Sequence, residues 1–320
     1  MKNKPDFTDT IEEWSNFFIP LHDGVQLAAR AWLPINAIEQ PVPAILEYIP
    51  YRKRDGTAIR DEQMHPYWAA FGYACVRVDI RGSGESDGLL LDEYLQQELE
   101  DAVEVIGWLE QQDWCSGKVG MMGKSWGGFN SLQVAALRPA ALKAIITVCS
   151  TDDRYADDCH YRGGALLIEN FSWASTISCY MAKSPDPLLL PETWREHWLE
   201  RLQNIPLFAR NWLEHTYKDA YWKHGSINED YSAIEAAVYC VGGWGDAYSV
   251  AIPRIIQGLS GPKKALIGPW AHKYPNFASP KPEMDFLAEA KRWWDYWLKG
   301  INNGIMDEAV IAAYIQDSVP

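Results

Sequence analysis

The chain has 320 residues, 48% of them hydrophobic and 22% charged, with a formal net charge of −14. That length and composition suit a soluble globular chain of one large or two ordinary domains with a substantial core. The acidic balance lacks the basic face of a nucleic-acid binder, so neither a nucleic-acid nor a membrane-surface partner is expected.

The opening stretch MKNKPDFTDTIEEWSNFF has two lysines but no apolar core and no small-residue cleavage site, so it does not read as a signal peptide. No run approaches the roughly 18 apolar residues of a membrane span. Cys75, Cys115, Cys149, Cys159, Cys179 and Cys240 form no C-x-x-C pair and no zinc-type cluster. Free, buried thiols in a reducing cytoplasm are the expectation, with no metal and no organic cofactor.

In chain order, FFIPLHDGVQLAARAWLP predicts two strands around a turn at Asp23-Gly24. PAILEYIP is a buried strand, MHPYWAAFG a helix stopped by Gly72, and YACVRVDIRGSG a strand running into a glycine-rich turn. From Glu93 to Gln112 the period becomes helical, with Leu95, Leu99, Ala102, Val103, Ile106 and Leu109 on one face. KVGMM is a strand, WGGFNSLQVAALRP a helix and LKAIITVCS a strand. Residues 152–232 break the pattern, with helix-like stretches and many aromatics but no comparable buried strand. The pattern then resumes with strand AVYCVGGWGD, helix SVAIPRIIQGL, strand KKALIGPW and helix MDFLAEAKRWWDYWLKG. The expectation is an α/β fold, a mostly parallel sheet flanked by helices. Residues 1–151 and 233–320 would form the catalytic domain, and 152–232 an inserted helical cap over the carboxyl ends of the strands.

The stretch GKVGMMGKSWGGFNS admits two readings. Gly-Lys-Ser suggests a phosphate loop, but that motif needs a glycine at position 118, which is lysine. Val119, Gly120, Met121 and Met122 also read as strand, not as an anion nest. Gly123-Lys124-Ser125-Trp126-Gly127 instead fits G-x-S-x-G between a strand and a helix, a nucleophile elbow in which Lys124 is a variable residue. The sharp turn would present the Ser125 hydroxyl and aim the Trp126 N–H at a developing oxyanion.

A serine needs a base and an acid, in the chain order Ser, Asp, His for this fold. Asp246 follows strand AVYCVGG in a glycine-rich loop. His272 follows strand KKALIG and is the only one of the seven histidines beyond Asp246. Ser125, Asp246 and His272 are therefore the candidate catalytic residues.

These features, with DGVQLAARAWLP, YIPYRKRD, VRVDIRGSGESDG, GGWGD and GPWAH, resemble the CocE/NonD family of α/β-hydrolases, the cocaine esterase, glutaryl-acylase and Xaa-Pro dipeptidyl-peptidase group, over most of the chain. The resemblance implies an α/β-hydrolase fold, the triad named above, a helical cap before the acid, and Tyr51, after Pro50, as a side-chain oxyanion donor. Members of that family usually continue into a C-terminal jelly-roll domain, about where this sequence reaches AAYIQDSVP.

Other features have two readings each. The glycines of DIRGSGESDG do not form a dinucleotide motif and suggest a structural loop supporting the elbow. STDDRYADDCHYRGG concentrates Asp152, Asp153, Asp157 and Asp158; some of these, Asp152 and Asp153 first, could read a substrate ammonium, or they pair locally with Arg154 and Arg162 and are solvated. Trp173, Trp194, Trp198, Trp212 and Trp222 could line an acyl pocket or fill the cap's own core.

The expected activity is Ser-His-Asp cleavage of a carboxylic ester or amide. A small-molecule ester, amide or short peptide would be the substrate, with homo-oligomerisation left open. An Xaa-Pro dipeptidyl-peptidase is the alternative within the class, and a non-catalytic binding protein or inactive fragment the alternative outside it.

Overall fold

The structure, a computed structural model, describes residues 10–317. The first nine residues of the opening stretch read above lie outside them. The strands are β1 (Ile11–Pro20), β2 (Gln26–Pro34), β3 (Val42–Ile49), β4 (Ala74–Asp79), β5 (Cys115–Lys124), β6 (Leu142–Val148), β7 (Tyr161–Arg162), β8 (Ala165–Leu166), β9 (Ala237–Gly243), β10 (Lys263–Gly268) and β11 (Ile311–Ala313). The α-helices are α1 (Ala58–Ala70), α2 (Gln96–Glu110), α3 (Trp126–Ala136), α4 (Glu169–Met181), α5 (Trp194–Asn204), α6 (Phe208–Glu214), α7 (Ala220–Lys223), α8 (Ala251–Gly258) and α9 (Phe286–Lys299). The chain divides into two compact units. One runs to Val119 and includes Ile168–Thr216; the other comprises Gly120–Leu167 and the residues from Tyr217 onward.

In the first unit the strand order is β1-β2-β4-β3. Strand β2 pairs antiparallel with β1 and β4, while β3 and β4 run parallel. All six residues of β4 and seven of the eight in β3 are buried, as expected of parallel strands covered on both faces. The β1–β2 turn forms where it was read: Val25 N–H donates to Asp23 Oδ1 at 3.0 Å and Gly24 takes φ 89°.

Helix α2 is rotated from its sequence reading. Its buried residues are Glu98, Leu99, Asp101, Ala102, Val105, Ile106 and Leu109, so Val105 replaces Val103 and two carboxylates join the apolar stripe. Asp101 can be buried because Arg81 grips both its oxygens, at 2.7 and 2.8 Å. Glu98 accepts the Tyr94 N–H at 2.9 Å. A hydropathy count cannot register a carboxylate whose charge is answered 20 residues away.

In the second unit, which takes β5 from Gly120 onward, the order is β5-β6-β9-β10-β11, and β6, β9, β10 and β11 are parallel. Strand β11, which the sequence reading did not anticipate, is three residues long and fully exposed, too short to show a period. Helix α3 packs on β6, and α8 on β9 and β10. The span 152–232 is mainly helical, with one two-residue pair, β7–β8. Helices α4 to α6 belong to the first unit and α7 to the second. Trp212 and Trp222 are fully buried within it, whereas Trp173, Trp194 and Trp198 are half-buried.

The first unit also buries a polar network. Lys53 is fully buried, bonds Glu85 and lies 3.7 Å from Asp79. Ser86 Oγ donates to the Asp79 carbonyl at 2.6 Å, so the glycine-rich loop after β4 is internally braced. Around α1, Arg60 donates to Glu47 at 2.5 Å and also bonds Asp61. His65 lies 3.3 Å from Glu47. Burial by itself would raise the Glu47 pKa, but the charges of Arg60, His65 and Arg77 outweigh it and hold the group at about 2. A depressed folded-state pKa gives stability that is present above the ordinary value of 4.5 and is lost as the pH falls toward about 2. Acid unfolding of wild type and Glu47→Gln, followed by circular dichroism, checks this. The variant should be roughly 3–5 kcal/mol less stable at neutral pH, and the gap should shrink as the pH is lowered through that window.

Candidate active site

The second unit holds Ser125, Asp246 and His272. Strand β5 ends at Lys124 and α3 begins at Trp126, so Ser125 is the whole connection. It takes φ 59° and ψ −122°, a conformation costly for a residue with a side chain and found where surrounding structure enforces it. Enforcement is visible on both sides. Ser125 N–H donates to Val148 O at the end of β6 at 2.9 Å, and Ser125 O accepts from Gly128 and Phe129 at 2.7 and 3.0 Å, starting the helix. The turn is tight enough that a Cβ on Gly123 would sit 2.5 Å from Gly127 Cα. Trp126 is 1% exposed, and its N–H lies in the first turn of α3, the positive end of the helix dipole.

Asp246 and His272 lie in the loops after β9 and β10, and those loops are stitched together. Trp244 N–H donates to Gly268 O at 2.9 Å and Gly245 N–H to Trp270 O at 3.0 Å. A Cβ on Gly243 would lie 2.0 Å from Trp270 O, so only glycine permits the approach. The result is a direct contact: His272 Nδ1 and Asp246 Oδ1 are 3.0 Å apart. The Asp246 side chain is 2% exposed and that of His272 38%, so the carboxylate is sequestered while the imidazole reaches solvent. Burial pushes the Asp246 pKa up, but the His272 hydrogen bond and charge, with the Cys149 thiol, bring it below the ordinary carboxylate value. Asp246 is thus an anion wherever His272 needs one.

The elbow is tied to the histidine loop through Lys124, whose Nζ donates to His272 O at 3.4 Å. Sequence reasoning gave Lys124 no role, because a fold-made contact across 148 residues leaves no local signal. It likewise passed over Tyr248, whose ring centroid is 5.7 Å from that of His272 and whose hydroxyl donates to Asp158 at 2.6 Å. Cys149, read as one scattered thiol, sits beside the acid–histidine pair: its Sγ, an Asp246 oxygen and a His272 nitrogen lie within 4.8 Å of one another.

The remaining candidates have other surroundings. Asp152 is 1% exposed, gripped by Arg254 through Nε at 2.8 and 2.9 Å and bonded by the Tyr231 hydroxyl. Asp153 accepts from Lys218 at 2.9 Å and Asn228 at 2.8 Å. Their partners are therefore not Arg154 or Arg162. Arg154 instead donates to the carbonyls of Tyr221 and His224, and Arg162 to those of Asp157 and Ala247. An ammonium would have to displace these bonds to reach either carboxylate. Tyr51 and Trp173 belong to the first unit, their ring centroids 6.4 Å apart, with Tyr180 5.5 Å from Tyr51. Trp173 Nε1 donates to the buried Glu93.

The residues matching a protein-family description of X-Pro dipeptidyl-peptidase, S15 family, run from 23 to 274. The chain belongs to the S15 family. A cocaine esterase of Rhodococcus sp. (strain MB1 Bresler) is 28% identical over 284 residues, 81% of this chain and 48% of the esterase. The chain spans about half the length of the curated relatives it matches. Among solved structures, a CocE/NonD family hydrolase from Staphylococcus aureus superposes with TM-score 0.77 at 19% identity, covering 96% of this chain and 54% of that one. An α-amino acid ester hydrolase gives TM-score 0.67 at 20% identity, over 98% and 60%. The α/β-hydrolase fold of this S15 member follows from that likeness.

Gly123→Ala tests the elbow. Its Cβ cannot be accommodated without moving Gly127 backbone, and a shift of about 1 Å at a reacting group costs ~10² in turnover. The variant should lose ester hydrolysis by that factor or more, and the elbow account fails if its steady-state rate matches wild type.

Proposed function

We propose that this chain is a serine hydrolase that cleaves carboxylic ester or amide bonds through an acyl-enzyme. The observation that carries the reading is the His272 Nδ1–Asp246 Oδ1 contact in loops joined to a strained Ser125 elbow. Ser125 Oγ attacks the carbonyl carbon while His272 Nε2 takes its proton. Asp246 holds the Nδ1–H tautomer and stabilises the imidazolium. His272 then protonates the leaving group, and water repeats the sequence in reverse to release the acid. The Trp126 N–H at the start of α3 and, by family resemblance, the Tyr51 hydroxyl would stabilise the tetrahedral oxyanion, each donor worth ~10²–10³ in turnover. No step calls for a metal or an organic cofactor. Residues 152–232 would act as the cap that shapes the acyl pocket, Trp173 among its lining, in a cytoplasmic enzyme acting on small esters, amides or short peptides.

Family membership favours a second reading, an Xaa-Pro dipeptidyl-peptidase. That activity needs a free substrate amino terminus. The ion pairs around Asp152 and Asp153 weigh against those two as its reader.

A fluorophosphonate should label Ser125, and Ser125→Ala should lower hydrolysis of p-nitrophenyl butyrate by up to ~10⁶. Label absent from Ser125 in folded protein would favour a non-catalytic role. An Xaa-Pro anilide cleaved far faster than its N-acylated form would identify the peptidase; equal rates would identify a general esterase or amidase.

A further inference from the structure

Asp246 presents an unusual surface to the protein. Its Oδ1 meets His272, but its Oδ2 is buried and has no hydrogen-bond partner among the described residues. A buried carboxylate oxygen left without a donor is costly and is normally answered. The polar side chain that shares this space is Cys149, 2% exposed, with Sγ within 4.8 Å of both the carboxylate and the imidazole. The same sulfur lies 3.9 Å from Lys273 O, the carbonyl just after His272. One thiol therefore lies beside the acid and reaches the backbone of the histidine loop.

The backbone supports a specific placement. Cys149 takes φ 51° immediately after β6, a left-handed conformation that residues with a Cβ adopt reluctantly. Its N–H donates to Val241 O in β9 at 2.9 Å, and Val148, the preceding residue, accepts from Ser125. The same two residues thus anchor the nucleophile through Val148 and face the acid through Cys149. A glycine would satisfy the φ without strain, so the strain is spent on keeping a side chain here.

Resting on the triad reading above, we infer that Cys149 is a positioning residue for the Asp246–His272 pair. The thiol fills the space behind the carboxylate while its S–H is turned to the Lys273 carbonyl. It thereby keeps Oδ1 aligned on the imidazole as His272 gains and gives up its proton. A thiol suits the position because it is a weak donor: it packs against the carboxylate without drawing its charge away from His272.

The experiment compares wild type, Cys149→Ala, Cys149→Gly and Cys149→Ser on p-nitrophenyl butyrate across pH, with a thermal melt and fluorophosphonate labelling of each. Cys149→Gly relieves the left-handed backbone while removing the thiol, so it should fold even if Cys149→Ala does not. Both should lower kcat about tenfold with KM within about twofold, the size of one lost hydrogen bond in the histidine loop. The acid limb of their pH profile should move to lower pH, because a less well-held carboxylate stabilises the imidazolium less. Cys149→Ser, which keeps a donor of similar shape, should recover kcat to within about threefold. The inference is overturned if the glycine variant keeps the wild-type kcat and acid limb, if serine is no better than glycine, or if only the melting temperature moves. Wild-type protein that takes no label at Ser125 overturns the triad and this proposal together. Labelled Ser125 with unchanged Cys149→Gly kinetics overturns this proposal alone.

Discussion

The second unit of this protein depends on a close approach of two backbones. Gly243 comes so near the Trp270 carbonyl that no side chain could occupy the space. That approach allows the loops after β9 and β10 to exchange hydrogen bonds at Trp244 and Gly245. With the loops so joined, Asp246 and His272 meet at 3.0 Å without any further device. The parallel register of β9 and β10, Gly243 opposite Gly268, sets the height at which the loops leave the sheet. The Asp246–His272 contact is thus a product of strand register as much as of side-chain choice.

A second theme is the disposition of charge. In both units carboxylates are buried far beyond what their polarity suggests, and each is answered by a cation or a donor distant in sequence. Asp101 is held by Arg81, Asp152 by Arg254 and Glu47 by Arg60. Such pairs add little net stability compared with apolar packing, but breaking one is expensive. They select one arrangement of helices and loops over near alternatives. Asp246 differs from them: its carboxylate meets His272, the group that would titrate during the proposed reaction.

How much of this was legible in the sequence follows from the range of each interaction. The elbow was readable because its requirements are local: Gly123 and Gly127 flank Ser125 within five residues, between a strand and a helix. Asp246 and His272 were readable from chain order, since each follows an apolar run that could only be a buried strand. Strands β2 to β6, β9 and β10 were legible for the same reason, whereas β7 and β8 are two residues each and β11 is three exposed residues, with no pattern to detect. Local pairing of Asp152 and Asp153 with Arg154 and Arg162 was the obvious reading because those arginines are near in sequence, while the observed partners Arg254 and Lys218 are 102 and 65 residues away. Cys149 and Lys124 escaped notice because nothing about a thiol in an apolar strand or a variable elbow residue marks a contact made only in the folded chain.

Trp126 has a further consequence. Its backbone begins α3 beside Ser125, yet its indole is almost wholly enclosed by the core. The residue proposed to cradle the oxyanion is therefore also a packing element of the sheet–helix layer. Loosening of that layer cannot be confined to the interior, because it would displace the donor at the mouth of the helix. Catalysis and cooperative structure should disappear in the same thermal transition.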